Sequence, residues 1–332
     1  MKKIILTSLT LIVLITSCKK KSTPDPEDSA AVTTTGTTTT GTTTVGTVNT
    51  GPLVIYVIDT AKVNTITETG TNETTIINKT INTSSYIMNF SAAIDGTKLV
   101  YGISQSNFSG STPVYTKELR ISNNNGSNDG LLYSIPEGTA YIGSIRAGLN
   151  NKVYYTVQGA ANILYSINTD ATGNTQLFSW PTVIDDISTN GIYLISKETN
   201  FGYNRVNIVD RTGDGGAGGI HYTENFLPLS ASDVGHGCFS YDTQKAFIPY
   251  NDGGTLKLKV IDMTAKSSVS KTITTISGSF PTISAKVAGD GDRVVVTVST
   301  AASSVSYIYK VSANSFTSFT NNDSYVTNVY PF

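Results

Sequence analysis

The stretch SAAIDGTKLVYGI (residues 91–103) decides the fold class, because it contains two strands joined by a tight turn. Small residues come first, and Asp95-Gly96 then supplies the positive φ that a two-residue hairpin turn requires. The run that follows, 98–103, is almost continuously apolar, as a strand covered on both faces would be. Similar apolar runs return four more times, at residues 152–157, 191–195, 245–250 and 293–298. The pattern predicts an all-β chain built from repeated antiparallel units.

The repeat has the length of a propeller blade. Turn-forming pairs precede three of the other apolar runs, at Asn150-Asn151, Asn190-Gly191 and Asp290-Gly291. The runs themselves start about 40 to 55 residues apart, which is the period of four-stranded blades. One such hairpin cannot bury its own apolar faces, so neighbouring sheets must cover one another. Alternating third strands follow the apolar runs, at residues 164–167, 206–210, 258–262 and 307–311.

The first and last strands predict how the repeats are arranged. Residues 324–330 (SYVTNVY) resemble residues 85–90 (SYIMNF), which form a first strand, but no second strand follows them. Residues 53–58 (LVIYVI) resemble a second strand that has no first strand before it. If the last strand completes the first sheet, six blades form a closed ring without an exposed edge. The alternative is a β-sandwich in which the similarity is coincidental.

These residues also support a family resemblance. The Asp-Gly turn followed by Lys-Leu-Val-Tyr (residues 95–101), with its less faithful repeats, resembles the TolB-like six-bladed propellers over residues 51–332. Membership of that family implies a platform that binds proteins or ligands, and it does not imply one activity.

The amino-terminal segment is predicted to be a lipoprotein signal peptide, residues 1–17. Lys2 and Lys3 precede an apolar run, residues 4–15, which is shorter than the roughly 20 residues that span a bilayer. The run ends in Ile-Thr-Ser-Cys, which resembles the lipobox of bacterial lipoproteins, so Cys18 is the expected site of lipid attachment (diacylglycerol and palmitate). The alternative is an ordinary signal peptide with an incidental cysteine.

Residues 18–50 are predicted to be a tether. The segment is rich in Thr and poor in apolar residues, so it cannot offset the entropy of ordering. Its Cys-Lys-Lys-Lys start is similar to Bacteroidota lipoproteins, and Ser29 lies in an Asp-Ser-Ala triplet that resembles their glycosylation sites. Directly after the cysteine, this chain has Lys19 where some lipoproteins carry the Asp that retains them in the inner membrane. Its acidic residues begin only at Asp25, whereas surface-exported lipoproteins usually carry them just after the cysteine. We therefore expect a lipid-anchored outer-membrane protein, facing the periplasm more than the cell surface.

Charge and cysteine content exclude two classes of protein. The chain has 23 basic and 24 acidic residues and shows no basic cluster, so a nucleic-acid-binding role is not expected. Cys238 is the only cysteine besides Cys18, so no disulfide framework is predicted. Cys238 is expected to be a small buried residue rather than a reactive thiol.

The first strands would line the central channel, and their few polar side chains are the ligand-binding candidates. These candidates are Arg146, Asp185, Asp186, Asp233 and His236. Two histidines cannot supply the usual zinc ligands, and no cofactor or metal is predicted, although Asp185 with Asp186, or the loop 210–214, would be the sites for calcium. Adjacent strand residues point to opposite faces, so the two carboxylates cannot form a glycosidase pair. The alternative is a set of channel residues bonded only to one another and to water.

No nucleophile motif or phosphate-binding loop occurs in the sequence. The first hypothesis is therefore a non-catalytic envelope lipoprotein whose propeller is a protein-interaction scaffold in an outer-membrane assembly. The second is a carbohydrate- or small-ligand-binding lipoprotein, which would use aromatic rings near loops, namely Tyr115, Tyr141, Tyr203, Tyr222 and Phe226. The third is an enzyme with His236 and either Asp233 or Asp185 at the channel mouth.

Overall fold

The structure is a computed structural model with 24 β-strands and no α-helix among the residues that it describes. Those residues are 52–79, 86–93, 96–108, 113–135, 141–159, 161–198, 204–213, 217–226, 229, 233–276, 282–299, 304–321 and 325–330. The predicted signal peptide, Cys18, the tether and Ser29 lie outside them, and the two amino-terminal boundaries stay predictions.

The strands form six four-stranded antiparallel sheets, which are the blades of a propeller. Blade 1 contains β1 (Val54–Asp59), β2 (Lys62–Thr67), β3 (Thr74–Asn78) and β24 (Tyr325–Tyr330); blade 2 contains β4 (Tyr86–Ala92), β5 (Lys98–Phe108), β6 (Pro113–Asn123) and β7 (Gly130–Ile135). Blade 3 contains β8 (Tyr141–Ala147), β9 (Lys152–Gln158), β10 (Asn162–Asn168) and β11 (Thr175–Trp180); blade 4 contains β12 (Ile184–Ile187), β13 (Tyr193–Glu198), β14 (Arg205–Asp210) and β15 (Gly219–Asn225). Blade 5 contains β16 (Cys238–Phe239), β17 (Lys245–Asp252), β18 (Thr255–Asp262) and β19 (Ser267–Thr275); blade 6 contains β20 (Thr282–Val287), β21 (Arg293–Ser299), β22 (Ser304–Lys310) and β23 (Ser315–Asn321).

The ring closes as the sequence predicts. Strand β24 pairs with β1 in antiparallel register, with Val54 opposite Tyr330 and Ile58 opposite Tyr325. Blade 1 therefore has the order β24-β1-β2-β3, and its innermost strand comes from the end of the described chain. The innermost strands are in contact in the cyclic order β4, β8, β12, β16, β20, β24 and back to β4. The fold is a six-bladed β-propeller, and the β-sandwich alternative is wrong.

Turn chemistry and burial explain why the sequence forms these blades. Gly96, Asn150, Asn151, Gly191 and Gly291 all have φ between 55° and 68°, as the predicted hairpin turns require. Six apolar clusters lie between the blades, one at each of the six contacts between neighbours. Three tyrosines of second and third strands, Tyr101, Tyr155 and Tyr309, are fully buried in them. The core is therefore a set of sheet-to-sheet layers around an axis.

One predicted strand boundary is displaced in blade 4. The apolar run was expected to begin at Gly191, but β13 begins at Tyr193. The Gly191 backbone has φ of 68° and its N–H donates to the Ser188 carbonyl, so this residue closes the turn instead of entering the strand.

Candidate functional site

A cavity of about 600 Å³ opens at one axial end of the propeller, where the innermost strands begin. We call it the mouth cavity. All six blades contribute to its wall, which consists of Ile58, Ile87, Asn89, Tyr141, Ile142, Gly143, Ser144, Gln158, Val183, Ile184, Asp185, His236, Thr282, Ser284, Lys286 and Ser299. Most of the aliphatic members belong to blades 1 to 4. The volume lies within the range of about 300 to 1,000 Å³ that is typical of ligand pockets.

Bulges in three consecutive innermost strands shape this end of the channel. The ladder shifts register in β4 between Ile87 and Asn89, in β8 between Ile142 and Ile145, and in β12 between Ile184 and Asp186. A bulge leaves a residue outside the regular pairing and changes the direction of its side chain. In β12 the extra residue is Asp185, which lines the mouth cavity.

Asp185 and His236 form the ion pair of the mouth cavity. The Asp185 side chain is only 2% exposed, whereas the His236 side chain is 56% exposed, and His236 Nδ1 lies 2.9 Å from Asp185 Oδ1. The Asp185 charge and this hydrogen bond raise the pKa of His236, against burial and the charges of Lys197 and Lys286, which lower it. Among the described residues, His236 Nε2 and Asp185 Oδ2 have no hydrogen-bond partner.

Two lysines lie close to this pair. The Lys197 ammonium donates a hydrogen bond to the Val234 carbonyl, and burial lowers the pKa of Lys197, although the Asp185 charge opposes that shift. Lys286 lines the mouth cavity and is partly buried. Within the described part of the chain, its ammonium makes no hydrogen bond or ion pair. The mouth cavity therefore contains an ammonium that is free to donate and an imidazole whose Nε2 donates when the ring is protonated.

The floor below the mouth cavity is a closed polar network. Arg146 and Asp186 form an ion pair with side chains 8% and 6% exposed. Arg146 Nε also donates to the Ile187 carbonyl at 2.8 Å, and the Phe239 N–H donates to Asp186 Oδ2 at 2.8 Å. The guanidinium lies 5.3 Å from the ring centre of Tyr241. Burial is the largest single influence and lowers the pKa of Arg146, but the charges of Asp186, Tyr241 and Cys238 and the hydrogen bond to Asp186 together raise it overall.

Cys238 completes the floor and confirms the prediction of a buried thiol. It is 1% exposed, and burial raises its pKa to about 12. Together with Arg146, Asp186 and Lys286 it borders a void of about 10 Å³, which holds no more than one water molecule. Such a thiol is poorly nucleophilic, because the thiolate is the reactive form.

The backbone that carries His236 pairs with the next blade as well as its own. His236 N–H donates to the Ile283 carbonyl at 2.8 Å, and Ala285 N–H donates to the His236 carbonyl at 2.9 Å, forming a parallel bridge to β20. A Cβ on Gly235 would overlap the Ile283 carbonyl oxygen, so glycine is required for this approach. The innermost strand of blade 5, β16, is consequently only two residues long, at Cys238–Phe239.

The structure brings four of the five candidate residues to the channel, in two separate pairs. Asp185 and Asp186 point to different partners, as their adjacent positions predicted. Asp233, in contrast, is not among the residues that line the mouth cavity, and it accepts a 3.3 Å hydrogen bond from Asn251.

The aromatic candidates have different environments. Tyr141 is 47% exposed and lines the mouth cavity, as does the equally exposed Val183 of the neighbouring blade. Phe226 is 4% exposed and packs edge-on against Tyr250, so its predicted availability was wrong. Tyr222 donates to Glu224 at 2.7 Å and is partly buried. The side chains of Tyr115 and Tyr203 lie outside the described set.

Lys197 and Lys286 are the functional candidates that the sequence analysis missed. Both lie in strands that resemble ordinary amphipathic ones, and only the fold brings their charges into a position to lower the pKa of His236. One signal was present: Lys286 follows two small residues, Ser284-Ala285, in a stretch with the composition of a first strand.

The described ranges hold neither a metal-binding cluster nor a membrane-spanning helix. These contain no group of three or more His, Cys, Asp or Glu side chains that could hold a metal ion. In the loop after β14, the Asp210 carboxylate accepts from the Thr212 N–H and hydroxyl at 2.8 and 2.7 Å, which is a local turn. No helix that could span a membrane occurs in these ranges either.

Comparisons with known proteins give the fold and leave the family open. No protein-family model matches the chain, and no curated protein matches it. Among solved structures, TolB from Acinetobacter baumannii is similar with a TM-score of 0.59 and 12% identity, over 85% of this chain and 67% of that one. A chain of the nidogen/laminin complex is similar with a TM-score of 0.57 and 10% identity, over 83% and 97%. A protein from Lactobacillus plantarum has a TM-score of 0.50 and 12% identity, over 83% and 98%. At these identities the similarity shows that the chain has the fold of these propellers.

Proposed function

We propose that this protein is a non-catalytic, lipid-anchored protein of the cell envelope whose propeller binds a partner protein at the mouth cavity. The observation that carries the proposal is the mouth cavity itself, which has five aliphatic side chains in its wall, exposed Tyr141 and Val183 side chains and a closed polar floor. Monomeric proteins rarely leave a concave apolar surface open without a binding role. Rigid strands from all six blades hold this surface in place.

The arrangement of His236 favours binding over catalysis. An acyl-transfer site needs a nucleophile within hydrogen-bond reach of the base. Asp185 does orient the imidazole, but among the described residues no hydroxyl or thiol is bonded to its other nitrogen. Cys238 is held in the floor with a raised pKa. For the third hypothesis, an enzyme, His236 is therefore an oriented base, but no nucleophile is bonded to it among the described residues.

Site-specific photocrosslinking in intact cells tests the proposed binding surface. A benzophenone amino acid at position 183 should give an adduct with a discrete protein, because Val183 is 47% exposed at the rim. Position 220 is the matched control, since Ile220 is 50% exposed on β15, the outermost strand of blade 4. Adducts of equal yield and identity at both positions, or none at position 183, would contradict a partner at the mouth cavity.

The anchor and its location need a separate experiment. Cells fed a palmitate analogue should label the protein, and Cys18→Ser should abolish the label and release the chain from membranes. Ser29→Ala should remove any glycan mass from the tether. Protease added to intact cells should leave the propeller uncut if the anchor holds it at the periplasmic face of the outer membrane. Digestion without permeabilisation would place it on the cell surface instead.

A small ligand is the second candidate function, and one observation favours it. Asn89, Gln158, Ser284 and the His236–Asp185 pair put polar groups among the aliphatic side chains of the wall, and small-molecule pockets combine apolar and polar groups in this way. Binding of a free ligand without any protein adduct at position 183 would support this alternative.

A further inference from the structure

The charges of the mouth cavity are unbalanced in favour of cations. Asp185 is the only carboxylate among the described residues that line it, and its Oδ1 already accepts from His236. Lys286 and His236 line the same cavity, and Lys197 lies behind them. The Arg146–Asp186 pair below is neutral as a unit. A ligand that enters the cavity therefore meets an excess of positive charge.

The two cations that line the cavity also have unused donors. Asp185 holds the His236 ring by Nδ1, so Nε2 lies on the opposite edge of a ring that is more than half exposed. The Lys286 ammonium has no hydrogen bond among the described residues, although the side chain is partly buried. Lys286 is close enough to His236 to lower its pKa. When His236 is protonated, its Nε2–H and the Lys286 ammonium are two donors in one cavity, and a carboxylate offers two oxygens that can accept from them.

The rest of the cavity wall determines what kind of molecule the anionic group would belong to. Ile58, Ile87, Ile142 and Ile184 line the cavity, and Val183 and Tyr141 extend the apolar surface to the rim. Lys286 also borders the void in the floor, so the cation lies deep and the apolar surface lies above it. An anion on a polar body, such as free phosphate, would leave this surface unused.

We propose that the mouth cavity binds a carboxylate at the end of an apolar chain, with its oxygens on His236 Nε2 and Lys286 Nζ and its apolar part on the isoleucine wall. This inference rests on the proposed function, since it names the chemical group that the partner would insert. The carboxyl terminus of a partner polypeptide and a short fatty acid share this chemistry.

Ligand-observed NMR with the purified full-length protein separates these two sources. The first pair of probes is an acetylated apolar tripeptide with a free carboxyl terminus and the same tripeptide as a carboxamide. The second pair is hexanoate and hexanamide. Each pair differs only in the anionic group, so the acid must bind and the amide must bind about 10- to 100-fold more weakly if a charge-assisted contact anchors it.

The possible results distinguish a polypeptide carboxyl terminus from a short fatty acid as the ligand. Binding of the tripeptide acid but not its amide supports both the carboxylate site and a protein partner. Binding of hexanoate alone supports the carboxylate site and contradicts the protein-partner version of the proposed function. Equal binding of acids and amides, or no binding of either acid, would overturn the inference while leaving photocrosslinking at position 183 to judge the proposed function independently.

A matched pair of variants assigns the effect to Lys286. Lys286→Met should weaken binding of the acids about 10- to 100-fold without changing the amides. Lys310→Met is the control, because Lys310 is exposed on β22 of the same blade and outside the cavity. His236→Gln is the second variant, which keeps the test valid if Lys286→Met does not fold. Unchanged acid binding in both channel variants would contradict the assignment.

Discussion

The mouth and the floor of the channel use similar residue types for different purposes. In the floor, Arg146 and Asp186 are buried, and each accepts or donates further bonds to the backbone of a neighbouring blade. In the mouth, Asp185 is buried but His236 is exposed, and Lys286 has no hydrogen-bond partner among the described residues. Asp185 and Asp186 are consecutive in the chain, so the bulge in β12 separates a structural carboxylate from one that serves the cavity. The comparison shows that the floor and the mouth differ in whether the donors and acceptors of their side chains are hydrogen-bonded within the described protein. They do not differ in residue type.

The largest expected effect is on stability, when the floor loses its carboxylate. Asp186→Asn leaves the buried Arg146 charge without its counterion, and breaking a buried pair costs about 3 to 5 kcal/mol of unfolding free energy. Asp185→Asn should cost less than about 1 kcal/mol, because its partner is largely solvated. Urea denaturation of both variants and the parent measures the difference. Equal losses would mean that mouth and floor are structurally equivalent.

A smaller loss is expected where the backbone links the two regions. Gly235→Ala would push a Cβ into the Ile283 carbonyl oxygen, and such overpacking costs about 1 to 3 kcal/mol. Gly130→Ala is the matched control, since an added Cβ there meets nothing within 4 Å and the change should stay within about 0.5 kcal/mol. Thermal unfolding of the two variants tests this. A neutral Gly235→Ala would show that the blade-to-blade bridge at His236 is loosely packed.

The smallest expected effect is a pH dependence from the mouth. Asp185 raises the pKa of His236, with Lys197 and Lys286 opposing it, so the folded state binds a proton more tightly than the unfolded state. The resulting stabilisation is complete below the unfolded value of about 6.5 and is lost as the pH rises through the raised folded pKa. Because His236 is exposed, we expect only about 0.5 kcal/mol.

Urea unfolding between about pH 6 and about pH 9 should show this decrease. His236→Gln should remove it, and Asp185→Asn should reduce it. A stability that rose with pH over this window in the parent but not in His236→Gln would contradict the assigned direction.

Most of the fold could be predicted from the repeat pattern of the sequence. Apolar second strands and turn residues such as Asn150-Asn151 are local signals, and local signals are sufficient when each blade repeats the same unit. Ring closure was also predictable, because the similarity of residues 324–330 to a first strand can be recognised without coordinates. The strand start at Tyr193 was not, since a turn glycine and a strand glycine look alike in sequence.

The candidate site was only half predictable. Asp185, Asp186, Arg146 and His236 could be assigned to the channel because they interrupt strands of small residues. Their pairing could not, because it depends on a bulge in β12 and on a backbone bridge between β20 and the segment around His236. Lys286 was missed for the same reason: its importance comes from the residues that line the same cavity, and most of those belong to other blades.

The pairing of β24 with β1 has a mechanical consequence. Strand β1 lies between β2 and β24, so a pull on the segment that precedes residue 54 is resisted by two antiparallel ladders at once. If that segment leads to a membrane anchor, drag on a bound partner would be shared by strands that lie about 270 residues apart in sequence. Blade 1, which is assembled from the most distant pieces of the described chain, would then bear that load directly.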